Sequence, residues 1–468
     1  MKNRELMSSG NPFKTVIIFS IPSILAMIVN SIYNIVDKMF IGNFVSDVAL
    51  GGLQVVNPLT FFSFFAVVMF GIGSGSYASN KLGEHNDDEA NKIFNNGFSV
   101  STAFMFALSL LFMILRKPLL RLCGADELNY EYAYSYYTVL IFGFVFQSMA
   151  YFFTMSMRSE GRPVMSMLAQ TTGAIVNILL DALFIIVFKW GVFGAAIATV
   201  IGHIVNFSIG LSFYLFGKTH FFKFNMYDLN HINWNYIIQI SAIGLSSALL
   251  NICNGVATIV YNNVIGKYDN ALSILAVLTS LDSICVMPCV GIRQGVVPIY
   301  GYNYGEKNFK RMYIIFLVGI LYTTIYGATM TFIIRRFPGF FINLFLGNAT
   351  EEVMNEAIRI CGFYQIGLSI VGLNMISSGF FQASRHKVEA SLLSIMRQCL
   401  FLIPSLYIFD SLFNSKGVWY AMPVSDALSG VVGLLLIIAS YITYKKTGYI
   451  SIKDYKESLK YVDSGSNS

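Results

Sequence analysis

Twelve stretches of the chain stay apolar for 20 residues or more, with short polar segments between them. They cover about residues 14–40, 48–78, 93–115, 132–157, 163–188, 191–216, 234–265, 271–300, 312–334, 356–381, 388–410 and 417–443. A helix that crosses the hydrocarbon core needs about 20 such residues, so each run predicts a membrane-spanning α-helix. The runs are too long and too continuous for outer-membrane barrel strands, which alternate over about ten residues. The expected fold class is all-α, a polytopic membrane protein with 12 transmembrane helices.

The pattern is also a repeat. The longest polar stretch in the middle of the chain runs from Gly217 to Asn235 and leaves six spans on either side. Span 2 ends Gly71-Ile72-Gly73-Ser74-Gly75, with Gly83-Glu84 beyond it. Span 8 ends Gly291-Ile292-Arg293-Gln294-Gly295, with Gly305-Glu306 beyond it. MRSEGRP (Met157–Pro163) follows span 4 as FQASRHK (Phe381–Lys387) follows span 10. Span 6 opens on Gly191 and span 12 on Gly417 in similar contexts; the three offsets are 220, 224 and 226 residues. Six crossings are an even number, so both copies have the same orientation and are related by an axis along the membrane normal. The expected architecture is two pseudo-symmetric six-helix lobes, 1–225 and 226–468, around a central cavity. Residues 14–216 are expected to superpose on 234–443.

Composition narrows the function classes. The chain is 55% hydrophobic and only 12% charged, with mean hydropathy +0.62, whereas soluble domains carry roughly 25% charged residues. That excludes a soluble enzyme, and a net charge of +6 is too small for a nucleic-acid surface. The six cysteines show no disulfide or zinc spacing and read as small packing residues. The polar start and the lack of a cleavage site make the first span an anchor. With the N-terminus inside, 19 of the 31 Lys and Arg fall in cytoplasmic segments, Arg158, Arg162, Lys218 and Lys460 among them, and 10 fall outside. Both termini are therefore expected in the cytoplasm of a cell whose plasma (inner) membrane holds the protein.

Several segments resemble one known family. They are Ile21–Gly42 in span 1, Gly71–Glu84 after span 2, Arg158–Pro163 after span 4, Asn177–Ile185 in span 5, Gly191–Thr199 in span 6 and Gly291–Glu306 in span 8. In this order across 12 spans they resemble the MATE (multidrug and toxin extrusion) transporters, over about Pro12 to Lys446, and within them the DinF/MepA-like branch. The resemblance implies an outward-directed antiporter driven by protons or sodium ions.

Ionisable groups inside a bilayer are costly and mark function by default. The first half has Asp37 in span 1 and Asp181 in span 5. Asn177 and Asp181 share a helix face at i,i+4, as do Tyr33 and Asp37, with Asn34 adjacent, and Thr199 and His203 in span 6. Asp37, Asn177, Asp181 and Thr199 are similar, residue by residue, to the cation site of that branch. Two carboxylates close together in a low-dielectric pocket favour loading of a proton, and the same oxygens with an amide and a hydroxyl suit sodium. His203 is a candidate relay. Pro22 removes a backbone hydrogen bond from span 1 and is expected to kink it; bending of this first helix accompanies protonation in the family. In the second half span 7 has no carboxylate, unlike the NorM-type members. Asp282 and Arg293 lie in span 8, Arg397 in span 11 and Asp426 in span 12. They pair with one another or face the cavity, and a salt bridge or backbone cap is the leading role for Arg293.

With 41 Phe, 27 Tyr and 20 Met the cavity wall can be aromatic and adaptable, which suits cationic amphipathic compounds. Phe61, Phe64, Met69, Phe153 and Met287 are the cavity candidates put forward, with Tyr33, Phe65, Phe152, Met155, Tyr261 and Tyr300 beside them. The expected function is a secondary multidrug efflux antiporter, a non-enzyme and a monomer with no cofactor beyond the coupling ion. A dedicated natural-product exporter or a lipid-linked oligosaccharide flippase is the alternative. The absence of GxxxxGK[ST] argues against ATP coupling, and the absence of Ser-His-Asp, HExxH or an acidic metal cluster in any membrane-edge loop against a membrane enzyme.

Overall fold

The computed structural model describes residues 2–125, 127–217, 221–265, 267–268, 271–343 and 351–456. Lys218 and Lys460 lie outside the described residues. Every apolar run forms a helix. In chain order they are α1 (Pro12–Phe44), α2 (Asp47–Gly83), α3 (Asp87–Leu122), α4 (Tyr130–Ser159), α5 (Pro163–Asp181, continued as a π-helical segment Ala182–Val187), α6 (Gly191–Phe216), α7 (Trp234–Ile265), α8 (Ala271–Gly305), α9 (Phe309–Arg336), α10 (Glu351–Tyr364 and Leu368–Ala383 across a 3-10 turn), α11 (Lys387–Ile395, π-helical Met396–Leu402, then Ile403–Phe413) and α12 (Ala421–Thr447). The helices outrun the apolar runs because their ends are capped by polar residues. Asn11 accepts from Phe13 N–H (3.0 Å), Asn86 from Glu89 N–H (3.1 Å) and Asn308 from Arg311 N–H (3.3 Å). Pro22 sits inside α1, which stays one continuous helix through it.

The two halves pair their helices alike. In the first, α1 packs on α5, α5 on α6, α4 on α6, α2 on α4, α2 on α3 and α3 on α4. In the second, α7 packs on α11, α11 on α12, α10 on α12, α8 on α10, α8 on α9 and α9 on α10. Between the halves α1 lies along α8 and α2 along α7. Those two contacts exchange when each helix is replaced by its repeat partner, as a two-fold relation between lobes requires.

The lobes are sealed at the face that carries the α2–α3 and α8–α9 turns. A Cβ on Gly83 would lie 1.9 Å from the Tyr302 carbonyl oxygen, and one on Gly305 would lie 1.9 Å from that of Asn80. Only hydrogen fits at either position, which explains the Gly-Glu pair in both repeats. Asn80 donates to the carbonyls of Gly301 (2.9 Å) and Ala383 (2.8 Å), and Ser79 to that of Pro298 (2.8 Å). The described segments around Met7 and Ile450 reach this face. Asn303 and Arg311 donate to the Met7 carbonyl at 2.9 Å each, and Ser440 to that of Ile450 at 3.0 Å. In the opposite halves of the same helices Gln54, Pro58 and Phe61 of α2 and Ile252, Val256 and Ile259 of α7 are exposed.

The segment joining the lobes is stitched to α3. Asn95 donates to the Lys223 carbonyl (2.9 Å) and accepts from Asn225 N–H (3.0 Å). Asn96 donates to the Asp228 carbonyl (2.7 Å) and accepts from Asn233 N–H (2.6 Å). Glu160, just beyond α4, is fully buried and accepts from Phe221 (3.1 Å) and Phe222 (3.0 Å). Burial outweighs those two donors and pushes its carboxyl up to about 8.

Candidate functional site

Three helices of the first lobe and a fourth beside them form a polar pocket. α5 is helical up to Asp181 and switches to the wider π form at Ala182. Such segments frequently mark functional sites, because the register shift re-aims side chains. Asn177 and Asp181 lie one turn apart on the buried face of α5, at 3% and 0% exposure, and Asp37 of α1 is 8% exposed. Asn177 Nδ2 donates to the Thr199 hydroxyl of α6 at 3.4 Å. Asp37 and Asp181 are close enough to feel each other's charge, and Tyr33 is within electrostatic reach of both.

The pocket has an excess of acceptors. Asp37 Oδ1, both carboxylate oxygens of Asp181 and Asn177 Oδ1 are buried without a hydrogen-bond partner. Buried polar groups are normally paired, and an unpaired charge in a low-dielectric interior costs several kcal/mol. Four such oxygens together suit a species that brings positive charge, a proton or a hard cation.

Tyr136 of α4 completes the pocket and was not singled out in the sequence. Its hydroxyl bonds to Thr199, and it lies within electrostatic reach of Asp37, Asp181 and Tyr33. The start of span 4 holds tyrosines at 130, 132, 134, 136 and 137, but only the rotation of α4 shows which one points inward. Asn34 is exposed, donates to the Asn30 carbonyl (2.7 Å) and reaches the pocket through Tyr33. His203 lies one turn from Thr199 on α6 and is half-buried.

The second lobe also gathers charges. Arg397, in the π segment of α11, pairs through Nε with Asp426 Oδ1 of α12 at 2.6 Å. Asp282 of α8 interacts with both, and Tyr364 of α10 lies beside all three. Ser425, the repeat partner of Thr199, donates to the Arg397 backbone carbonyl. Arg293 forms no salt bridge among the described residues; it donates to neutral partners, Ser247 Oγ at 3.0 Å and Gln382 Oε1 at 2.7 Å.

The structure buries some of the cavity candidates in packing and leaves Phe61, Phe64 and Met287 partly or fully exposed. Phe153 is fully buried inside the first lobe, stacked on Phe98 (5.2 Å between centroids) and Phe207 (5.8 Å). Phe152 and Tyr300 are buried in packing as well, and Tyr261 donates to the Val418 carbonyl at 3.1 Å. Met69 belongs to the seal, since a Cβ on Gly244 would lie 1.8 Å from its carbonyl oxygen. Phe64 packs edge-on against Tyr151 at 5.6 Å, Met287 is half-buried, and Phe61 is 54% exposed. Arg158, counted among the loop bases, is 2% exposed. α4 runs to Ser159, which turns that side chain between the lobes, where Nη1 donates to Gln294 of α8.

Twelve apolar helices in two like-paired lobes, with a buried acceptor pocket in one of them, define a polytopic membrane carrier. The MatE family model matches residues 22–183 and 242–408, and the chain belongs to that family. It is 23% identical over 450 residues to the multidrug export protein MepA of Staphylococcus saprophyticus, covering 93% of this chain and 96% of that one. It is 24% identical over 453 residues to MepA of Staphylococcus aureus strain NCTC 8325 / PS 47, with the same coverage. Solved structures show the same fold. A MATE in complex with MaL6 gives a TM-score of 0.91 at 21% identity over 96% of this chain and 100% of that one. An outward-facing multidrug resistance MATE transporter of the MOP superfamily gives 0.90 at 22% identity, over 96% and 99%.

Proposed function

We propose that the protein exports small cationic amphipathic compounds across the plasma membrane in exchange for protons or sodium ions. The supporting observation is the set of four unpartnered acceptor oxygens on Asp37, Asn177 and Asp181 in one pocket, in a family whose relatives of full length are multidrug export proteins. Thr199 and Tyr136 hold the pocket's rim through their mutual hydrogen bond, and Tyr33 closes it from α1.

The chemistry couples as follows. An empty pocket carries two buried carboxylates whose one opposing charge is the exposed Lys38 beside Asp37. Loading a cation removes that penalty and lets α1, α5 and α6 pack closely. Because the ion binds one arrangement of the first lobe better than the other, its gradient biases the conformations. The positive-charge bias supports a cytoplasmic position for the sealed face, and on that reading the conformation is closed on the inside. The protein acts as a monomer, since the lobes supply both walls of the cavity.

The test is ethidium efflux from a host lacking its own exporters. Wild-type chain should lower retained dye and raise tolerance to it. Retention equal to that of the empty host, with the chain present in the membrane, would contradict the reading.

A further inference from the structure

The sealed interface holds a second charged feature, of opposite sign to the carboxylate pocket. Arg158 of α4 and Arg293 of α8 come from different lobes and line one small cavity of about 30 Å³, together with Ser76, Gln294 and Gln382. Both are at least nine-tenths buried, at 2% and 9% exposure. Tyr151 lies within electrostatic reach of both guanidinium groups. Among the described residues no carboxylate lines the cavity. The partners of the two arginines are neutral: Arg158 donates to Gln294 and Gln170, and Arg293 to Ser247 and Gln382.

The glutamines are oriented by these bonds. Gln382 Oε1 accepts from both Arg293 and Ser247, which leaves its Nε2 without a partner; Arg158 Nε and the Ser76 hydroxyl are likewise buried and unpartnered. Gln294 presents its Nε2 towards Met27 Sδ at 3.8 Å. The cavity is therefore bordered by two formal positive charges and by leftover donors. A water molecule could accept two of those donors but would leave both charges uncompensated in a low-dielectric interface. A monatomic anion accepts from several donors and cancels charge at once, and the cavity has room for one such ion.

We propose that Arg158 and Arg293 form a halide site that bridges the two lobes at the sealed face. A bound chloride contacts one guanidinium from each lobe, so it holds this face shut, and parting the lobes there requires its release.

The site is tested on the purified full chain in lipid nanodiscs, by thermal unfolding in chloride against gluconate at constant ionic strength. Gluconate carries its carboxylate on a chain too large for the cavity. Chloride should raise the melting temperature by about 2–5 °C, saturating with concentration, and the shift should vanish in Arg158→Gln and in Arg293→Gln. Crystals grown in bromide should show one anomalous peak between the guanidiniums, which decides the matter even where a variant fails to fold. Equal melting in chloride and gluconate, a shift undiminished in folded variants, or a cavity holding water only would overturn the proposal.

Discussion

Each lobe gathers two carboxylates beside a π-helical segment, yet the two clusters are built differently. In the first, Asp37 and Asp181 meet an amide, a hydroxyl and two tyrosines, most of their oxygens lack partners, and the one charge opposing theirs comes from the exposed Lys38 beside Asp37. In the second, Arg397 reaches from the π segment to Asp426 at 2.6 Å and neutralises much of the charge it shares with Asp282. Thr199 and Ser425 occupy matching positions; Thr199 faces Asn177, whereas Ser425 is used on the Arg397 backbone. A cluster that carries its own cation has little need of one from solution. A cluster without one is poised to exchange. On the proposed function, one repeat yields an exchanging pocket and a permanent ion pair.

The largest expected effect comes from removing a titrating group in the first cluster. Asp37→Asn should lower gradient-driven efflux about 100-fold while the protein stays in the membrane, and Asp181→Asn should behave similarly. Dye efflux normalised to membrane-resident protein checks both. In the second cluster the effect should fall on stability. Arg397→Met leaves the buried Asp426 uncompensated at a cost of about 3–5 kcal/mol, seen as a lower melting temperature. The double variant Arg397→Met/Asp426→Leu should recover part of it. An Asp282→Asn chain should keep most of its efflux; if it fails as badly as Asp37→Asn, the contrast between the lobes is lost.

Thr199→Ala removes one pocket oxygen and the bond to Tyr136, worth about 1 kcal/mol. The cation concentration that half-drives efflux should then rise roughly fivefold, with maximal rate little changed. The smallest effect concerns Glu160, which lies outside both clusters. Its folded value near 8 exceeds its ordinary 4.5, so on raising the pH the unfolded chain loses the proton first. The associated stability is present below about pH 4.5 and is lost as pH rises towards 8. Melting of wild type should fall over that window, and Glu160→Gln should flatten the profile.

Much of this was legible in the chain. Length and hydropathy mark the twelve helices because the bilayer sets a minimum run. The Gly-Glu pairs at 83–84 and 305–306 mark the repeat because close backbone approach admits nothing larger. Helical spacing placed Asn177 beside Asp181. What hydropathy could not supply is which face of a helix looks inward, since lipid is as apolar as a packed interior. Phe153 therefore read as a cavity residue although it lies in an aromatic stack, and Tyr136 was indistinguishable from its neighbouring tyrosines. Arg158 read as a loop base because the last turn of α4 is polar in sequence, and only the second lobe shows it to be buried.

The central claim is that the first-lobe pocket, and not the second-lobe ion pair, takes up the coupling cation. Purified protein in proteoliposomes loaded with ethidium can be given an imposed pH gradient or an imposed sodium gradient, separately. The account predicts that one of these gradients drives efflux in wild type and in Asp282→Asn, and that neither drives it in Asp37→Asn. Gradient-driven efflux at the wild-type rate in Asp37→Asn, with loss in Asp282→Asn, would contradict it and move the cation to the second lobe.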